Sequence, residues 1–196
     1  AEALRAQAIA ARSYAVNRLR PTVGTWDVTD DTTSQVYRGV RGERATTTAA
    51  VVSSPGGVLL SGSTVVGALF HSTGGGATEN NEAAFVSASG WTLVTPMAYL
   101  RGSPDRRADG LSYDAASPYA TWRTATYDIA TLSAIFGSDP RTNVGTLLAL
   151  DLSARGVSGR LIRVTLVGTA RTAIVSGEAF RSVFNARRPP GNPLLR

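Results

Sequence analysis

Residues 158–184, SGRLIRVTLVGTARTAIVSGEAFRSVF, decide the fold class. Residues 158–168 alternate between apolar and polar side chains, a pattern typical of a half-buried β-strand. Residues 172–184 predict a second strand that leads into a short helix. Strands and helices that follow one another in this way indicate an α+β protein.

The first twenty residues, AEALRAQAIAARSYAVNRLR, predict one long helix. Small apolar residues recur near one face of it: Leu4, Ala8, Ala11 and Ala15. Their spacing follows the helical period, and Pro21 ends the helix because proline cannot continue it. We expect this helix to pack closely against other elements.

Residues 56–72, GGVLLSGSTVVGALFHS, predict a β-hairpin, since two apolar runs flank the turn residues 61–63. Its second strand, residues 64–70, ends directly before His71. Further expected elements are strands at 26–28, 35–40 and 122–127, helices at 43–54 and 129–136, a polar turn at 29–34, and a long loop at 79–114. The architecture predicted is α+β, with the N-terminal helix packed with antiparallel β-hairpins and short helices and a polar groove between them.

The length of 196 residues allows one large domain or two small ones. We predict a single domain over residues 1–196, and sub-lobes at 1–90 and 91–196 are the alternative division. No long apolar run exists, so no membrane insertion is expected within this chain.

Composition excludes several kinds of site. There is no cysteine and only one histidine, so neither a disulfide framework nor a thiolate or multi-histidine zinc centre can form. No cofactor or metal is expected. The net charge of +6 comes from arginines alone, which favours anionic partners. Because these arginines are scattered, nucleic acid is not an expected partner.

The stretch FHSTGGGATEN, residues 70–80, contains the histidine. Adjacent side chains on an extended segment point to opposite faces, so His71 is badly placed to activate Ser72 as a hydrolase nucleophile. The glycine run is not a phosphate-binding Walker loop, because no Lys-Ser/Thr follows it. It allows close approach to a ligand or to another strand, and a flexible turn explains it equally well. A bare carboxylate such as Glu79 is more often solvated than catalytic.

Three motifs together resemble the stage II sporulation protein D family (SpoIID/LytB). They are EALRAQAIAARSYA at 2–15, WDVTDDTTSQVYRG at 26–39 and ALFHSTGGGATEN at 68–80. Further similarities follow in order at SPYATW, SGRLIRVTLVG and VSGEAFRSVF, so the resemblance extends over nearly the whole chain.

The resemblance implies a bacterial envelope or secreted protein that acts on peptidoglycan outside the membrane. Members of the family are lytic transglycosylases, which cleave the glycan to 1,6-anhydro products with one glutamic acid, or amidase enhancers. On this basis we expect glycan to be positioned by Gln35, Tyr37, His71, Ser72, Thr73 and Gly75. Glu79 is the candidate acid within these residues.

Two departures from the family are expected to matter. The family's catalytic glutamate lies in a Glu-Met-Pro-like segment before the helix, whereas this chain begins at Ala1 and Glu2 matches a later helix position. Some members bind zinc near the TSQ turn, but Val28, Thr33 and Ser34 stand where the ligands would be. A non-catalytic peptidoglycan-binding or amidase-enhancing module is therefore the alternative function, with a cell-wall amidase or another envelope protein as a further partner.

Overall fold

The computed structural model describes residues 1–20, 24–85, 94–120 and 124–195. The chain divides into two compact units, Ala1–His71 and Ser72–Arg196. The first unit contains α1 (Glu2–Asn17), a 3-10 turn (Val40–Gly42), α2 (Ala45–Val52), β1 (Leu60–Ser61) and β2 (Thr64–Val65). The second contains α3 (Asn81–Ala84), α4 (Ile129–Gly137), β3 (Leu147–Asp151), β4 (Arg163–Gly168), β5 (Thr172–Ser176) and α5 (Gly177–Arg187).

Polar side chains join α1 to the hairpin formed by β1 and β2 in the first unit. Ser13 is fully buried, and its hydroxyl accepts a hydrogen bond from the Leu59 amide at 2.8 Å. Arg12 donates to the Gly57 carbonyl at 2.7 Å, and Asn17 donates to the Val65 carbonyl at 2.8 Å. These bonds fix the hairpin along the C-terminal half of α1.

The apolar core of the first unit is small. Its buried hydrophobic residues are Tyr14, Ala50, Val66 and Ala68, while many of its large apolar side chains are exposed. Burial of apolar area is the main stabilising term in folding. Hydrogen bonds, such as those from α1, therefore contribute a larger fraction of the stability of the first unit than hydrogen bonds contribute in the second unit.

An antiparallel sheet of order β3-β4-β5 forms the centre of the second unit. Val164 and Leu166 of the middle strand are completely buried, as the alternating pattern at 158–168 predicts. Helices α4 and α5 contribute Phe136 and Phe180, whose rings stack at 4.8 Å between centroids. The three strands, α4 and α5 thus share one continuous apolar core.

The α+β class and the N-terminal helix are confirmed. Helices at 129–137 and 177–187 and strands at 163–168 and 172–176 also lie where the pattern places them. The polar groove and the single domain stay predictions, and the alternative boundary near residue 90 falls outside the described residues.

Two predicted strands are absent from the first unit. Residues 26–28 and 35–40 are not extended partners in a sheet. The amide of Tyr37 donates to the Asp30 carbonyl at 2.9 Å, so the backbone of this segment bonds to the turn before it. The polar turn at 29–34 thus uses the hydrogen-bonding groups that a strand partner would need.

The hairpin is shorter than predicted, because β2 ends at Val65 and not at residue 70. The Ala68 amide donates to the Val66 carbonyl at 2.9 Å, which closes a tight turn around Gly67. A Cβ on Gly67 would lie 3.0 Å from the Asn17 side-chain oxygen, so this turn lies directly against α1. The strand breaks where the backbone meets the helix.

The second unit also differs from prediction. Residues 122 and 123 of the strand predicted at 122–127 lie outside the described residues, and 124–127 form no strand. The sequence analysis did not identify β3 or the short helix α3, which falls in the predicted loop at 79–114.

Candidate functional site

The polar turn at residues 29–34 is built on Asp31. Its carboxylate accepts hydrogen bonds from the Thr29 hydroxyl and the Thr33 amide, both at 2.8 Å. These bonds, with that of Thr29 the largest contribution, hold the pKa of Asp31 below its usual value. An ionised carboxylate that bonds backbone two residues ahead is the common way in which aspartate fixes a turn.

Gln35 and Tyr37 follow this turn, and each is held by a hydrogen bond. The Gln35 side-chain amide donates to the Ala11 carbonyl of α1 at 2.9 Å, so its nitrogen already has a partner within the protein. The Tyr37 backbone is bonded to Asp30, and its side chain is 57% exposed. Gln35 therefore ties the turn to α1, and Tyr37 presents a ring to solvent.

A surface pocket of about 360 Å³ lies beside this ring. Its walls are Val36, Tyr37, Arg38, Gly39, Gly42, Glu43 and Thr47. At the start of α2 the Thr47 hydroxyl accepts a hydrogen bond from the Arg44 amide at 3.3 Å and donates one to the Arg44 carbonyl at 2.8 Å. Within the described residues, neither Arg38 nor Glu43 forms a side-chain hydrogen bond or an ion pair, so both keep their polar atoms available.

His71 ends the first unit, and Ser72 begins the second. Both side chains are exposed, and no described residue hydrogen bonds to either of them. Thr73 differs, because its hydroxyl lies 2.8 Å from the Ser117 hydroxyl. Of these three predicted glycan ligands, only His71 and Ser72 have side chains that are unengaged among the described residues.

Asp114 binds the glycine run from one side. Its carboxylate accepts from the amides of Gly74 and Gly75, the latter at 2.9 Å, and from the Ser112 hydroxyl. The Ser112 hydroxyl and these amides lower the pKa of Asp114. The Gly75 amide is therefore occupied within the protein.

Arg160 binds backbone carbonyl groups in and next to the glycine run. Its guanidinium donates to Gly74 at 2.6 Å and to Ala77 at 3.0 Å. The Asp105 amide donates to Gly76 at 3.0 Å, and Thr78 pairs with Ser103. Residues 74–78 thus have most of their main-chain groups paired with distant segments of the second unit.

Glu79 is the most fully engaged of the predicted site residues. Its carboxylate accepts from the Ser158 hydroxyl at 2.6 Å and from the amides of Asn80, Val157 and Ser158 at 2.9–3.2 Å. Burial raises the pKa of Glu79, but the hydrogen bonds outweigh it and leave the pKa below its usual value. The side chain is thus held ionised.

The structure separates the predicted site residues into two groups. Gln35, Tyr37 and His71 belong to the first unit, and Ser72, Thr73, Gly75 and Glu79 belong to the second. Their joint role in one glycan site stays a prediction. In the second unit the glycine run is hydrogen bonded to other segments of the chain. Close approach of another segment was one of the explanations that the sequence analysis gave for these glycines.

Sequence reasoning did not identify Asp114, Ser158 or Arg160. They lie 39 to 86 residues away from the atoms that they bind. No local sequence pattern relates residues at such separations. The glycine run at residues 74–76 was the one indication that another segment comes close there.

Within the described ranges, no three histidine, cysteine, aspartate or glutamate side chains come together as metal ligands. In the same part of the chain, no helix has both the length and the apolar character needed to cross a membrane.

Residues 1–60 match the SpoIID family model, whose description is stage II sporulation protein. The chain therefore contains a segment that is similar to SpoIID. The predicted resemblance is confirmed over those residues, which include α1, the polar turn and the Tyr37 pocket. At family level, SpoIID indicates a protein related to sporulation or the cell wall. The resemblance beyond residue 60 stays a prediction, and no curated protein or solved structure matches the chain.

Proposed function

We propose that this chain is a peptidoglycan-binding part of a cell-wall protein and that Glu79 does not donate the proton for glycan cleavage. The geometry of Glu79 carries the second half of this proposal. A general acid for glycoside cleavage must hold its proton near neutral pH, which requires a raised pKa. Four hydrogen bonds to the Glu79 carboxylate have the opposite effect.

The SpoIID segment and the charge of the chain support the binding half. A net charge of +6 favours association with an anionic polymer such as the bacterial cell wall. The proposal puts the protein in the cell envelope or outside the cell, with peptidoglycan glycan strands as its partner. A cell-wall amidase that it enhances is a second partner under the same proposal.

Sedimentation with purified peptidoglycan sacculi, followed by mass spectrometry of the glycan, tests both halves. We expect the chain to pellet with the sacculi and the glycan to stay intact. A chain that remains in the supernatant at low and moderate salt would contradict the binding half.

The second candidate function is lytic transglycosylase activity with Glu79 as the acid. Partial burial of Glu79, which by itself raises the pKa, is the observation that favours it. In this case the digest would contain 1,6-anhydro-muropeptides, and Glu79→Gln would abolish them. Anhydro products that persist in the variant would instead require another acid.

A further inference from the structure

We infer that the pocket beside Tyr37 is a saccharide-binding site that holds one or two pyranose rings of a glycan, with Arg38 and Glu43 as its hydrogen-bonding residues. The inference rests on the proposed binding function and gives it a location. It keeps Tyr37 from the sequence prediction, adds Arg38 and Glu43, and leaves out His71 and the glycine run.

The aromatic ring supplies the first part of the argument. Tyrosine combines a large apolar face with a polar tip, which suits ligands that have both kinds of surface. A pyranose ring is such a ligand, since its axial C–H bonds form an apolar face and its hydroxyls point outward. Tyr37 is 57% exposed although its backbone is held by Asp30, so its ring is available and its main chain is fixed.

The charged residues supply the second part. Arg38 offers only donors and Glu43 only acceptors, and sugar hydroxyls both donate and accept. Bonds to ionised groups are the stronger ones, and here no described residue competes for either side chain. Because the two charges have opposite signs, the pocket suits an uncharged, hydroxyl-rich ligand better than a phosphate or a nucleic acid, which would favour arginines without a carboxylate.

The glycines supply the third part. Gly39 has φ +71°, a conformation that other residues adopt only with strain, and open space lies where its side chain would be. With Gly42 it leaves part of the wall without side chains. The volume of about 360 Å³ falls at the small end of the range of about 300–1,000 Å³ for ligand pockets.

The turn before the pocket makes this arrangement rigid before any ligand arrives. Asp31 fixes the turn through Thr29 and Thr33, and Gln35 ties it to α1. A preformed site avoids the entropic cost of ordering its residues on binding. Asp31 and Gln35 therefore hold the backbone turn that precedes Tyr37.

Titration of the chain with β-1,4-linked N-acetylglucosamine oligomers, followed by NMR, tests the inference. We expect the amide signals of Gly39 and Gly42 to shift on binding. Tyr37→Ala and Glu43→Gln should each weaken the affinity at least tenfold, with unchanged circular dichroism. Tyr113→Ala is the matched control, because Tyr113 is an exposed tyrosine outside the pocket; it should bind as the parent chain does.

The outcomes separate this inference from the proposed function. If the parent chain pellets with sacculi but Tyr37→Ala and Glu43→Gln bind sacculi and oligomers equally well, the chain binds peptidoglycan elsewhere and the pocket assignment is wrong. If the parent chain binds neither sacculi nor oligomers, both proposals fail. Oligomer-induced shifts confined to residues 72–195 would also overturn the pocket assignment.

Discussion

Glu79 illustrates how one residue's surroundings decide its chemistry. The turn at residues 156–158 closes around its carboxylate, and Gly156 makes this possible: a Cβ there would lie 2.0 Å from a Glu79 carboxylate oxygen. The carboxylate accepts from Val157 and Ser158 in this turn. Glu79 thus links two segments 78 residues apart, and its first role is structural.

Glu79 should make the stability of the chain depend on pH. Its pKa is lowered in the folded state from an ordinary value of 4.5, so the folded chain binds this proton more weakly than the unfolded chain does. The resulting stabilisation is present above the ordinary value and is lost as the pH falls through the folded-state pKa. We expect Glu79→Gln to reduce the free energy of unfolding at pH 7 by about 1–3 kcal/mol, towards the low end because the group is partly exposed.

Urea unfolding of both chains from pH 7 to pH 3 measures this effect. The difference between them should shrink as the pH falls below about 4.5, the usual range of a glutamate. Other carboxylates with lowered pKa, such as Asp114 and Asp31, are present in both chains and do not affect the difference. A difference that stays constant over this range would contradict the ionised, hydrogen-bonded Glu79.

A substitution at Gly156 should also lower the stability of the chain, although the Glu79 carboxylate itself is unchanged. Gly156→Ala places a methyl group where the Glu79 side chain lies, so the hydrogen bonds from Val157 and Ser158 must lengthen or break. Gly137→Ala is the matched control, because nothing lies within 4 Å of a Cβ at that position. We expect a lower melting temperature and a weaker pH dependence for Gly156→Ala only. Equal melting temperatures for both variants would show that the turn does not depend on Glu79.

At the scale of helices and strands, the elements that could be predicted are those whose pattern of apolar residues lies within a short stretch of sequence. The apolar spacing of α1 lies within one short stretch of sequence, and the alternation of β4 lies within another. Both elements are present in the structure. The end of β2 could not be predicted, since it depends on contact between Gly67 and Asn17 of α1. Strand β3 is a short apolar run, for which periodicity alone does not separate strand from helix.

The junction of β5 and α5 shows how a single hydroxyl starts a helix. Ser176 ends the strand, is almost completely buried, and accepts a hydrogen bond from the Ala179 amide at 3.1 Å. Loss of such a cap costs about 1 kcal/mol. Ser176→Ala should lower the free energy of unfolding by that amount, measured in urea. Ser182→Ala, at an exposed position of the same helix, should leave it unchanged, and an equal loss in both variants would argue against the cap.

At the scale of the whole molecule, the sequence offered candidate site residues but not the residues that contact them. Tyr37 and Gln35 were proposed from a local motif and stay predictions, whereas Arg38 and Glu43 became candidates only through the pocket that the 3-10 turn and α2 complete. In the second unit, the glycine run was identified but Asp114 and Arg160, which bind it, were not. Residue types show which chemistry is available, and tertiary contacts decide which groups remain free to use it.

The two units should differ in local stability, because their cores differ. In the second unit, β4 is hydrogen bonded on both sides and carries the fully buried Val164 and Leu166. In the first unit, α1 buries only Ser13 and Tyr14. Amides with well-buried surroundings exchange with solvent only through large-scale unfolding. Hydrogen exchange at pH 7 should therefore be slowest in β4 and clearly faster in α1.

Removal of a core ring tests the origin of this difference. Phe136 is 1% exposed and stacks on Phe180, so Phe136→Ala should cost about 3–5 kcal/mol. Since every 1.4 kcal/mol is tenfold, exchange in β4 should accelerate about a hundredfold or more. Leu148→Ala, which removes a largely exposed side chain from the same unit, should change it little. If exchange in α1 were as slow as in β4 in the parent chain, the smaller core of the first unit would not lower its local stability, and the predicted difference between the units would be wrong.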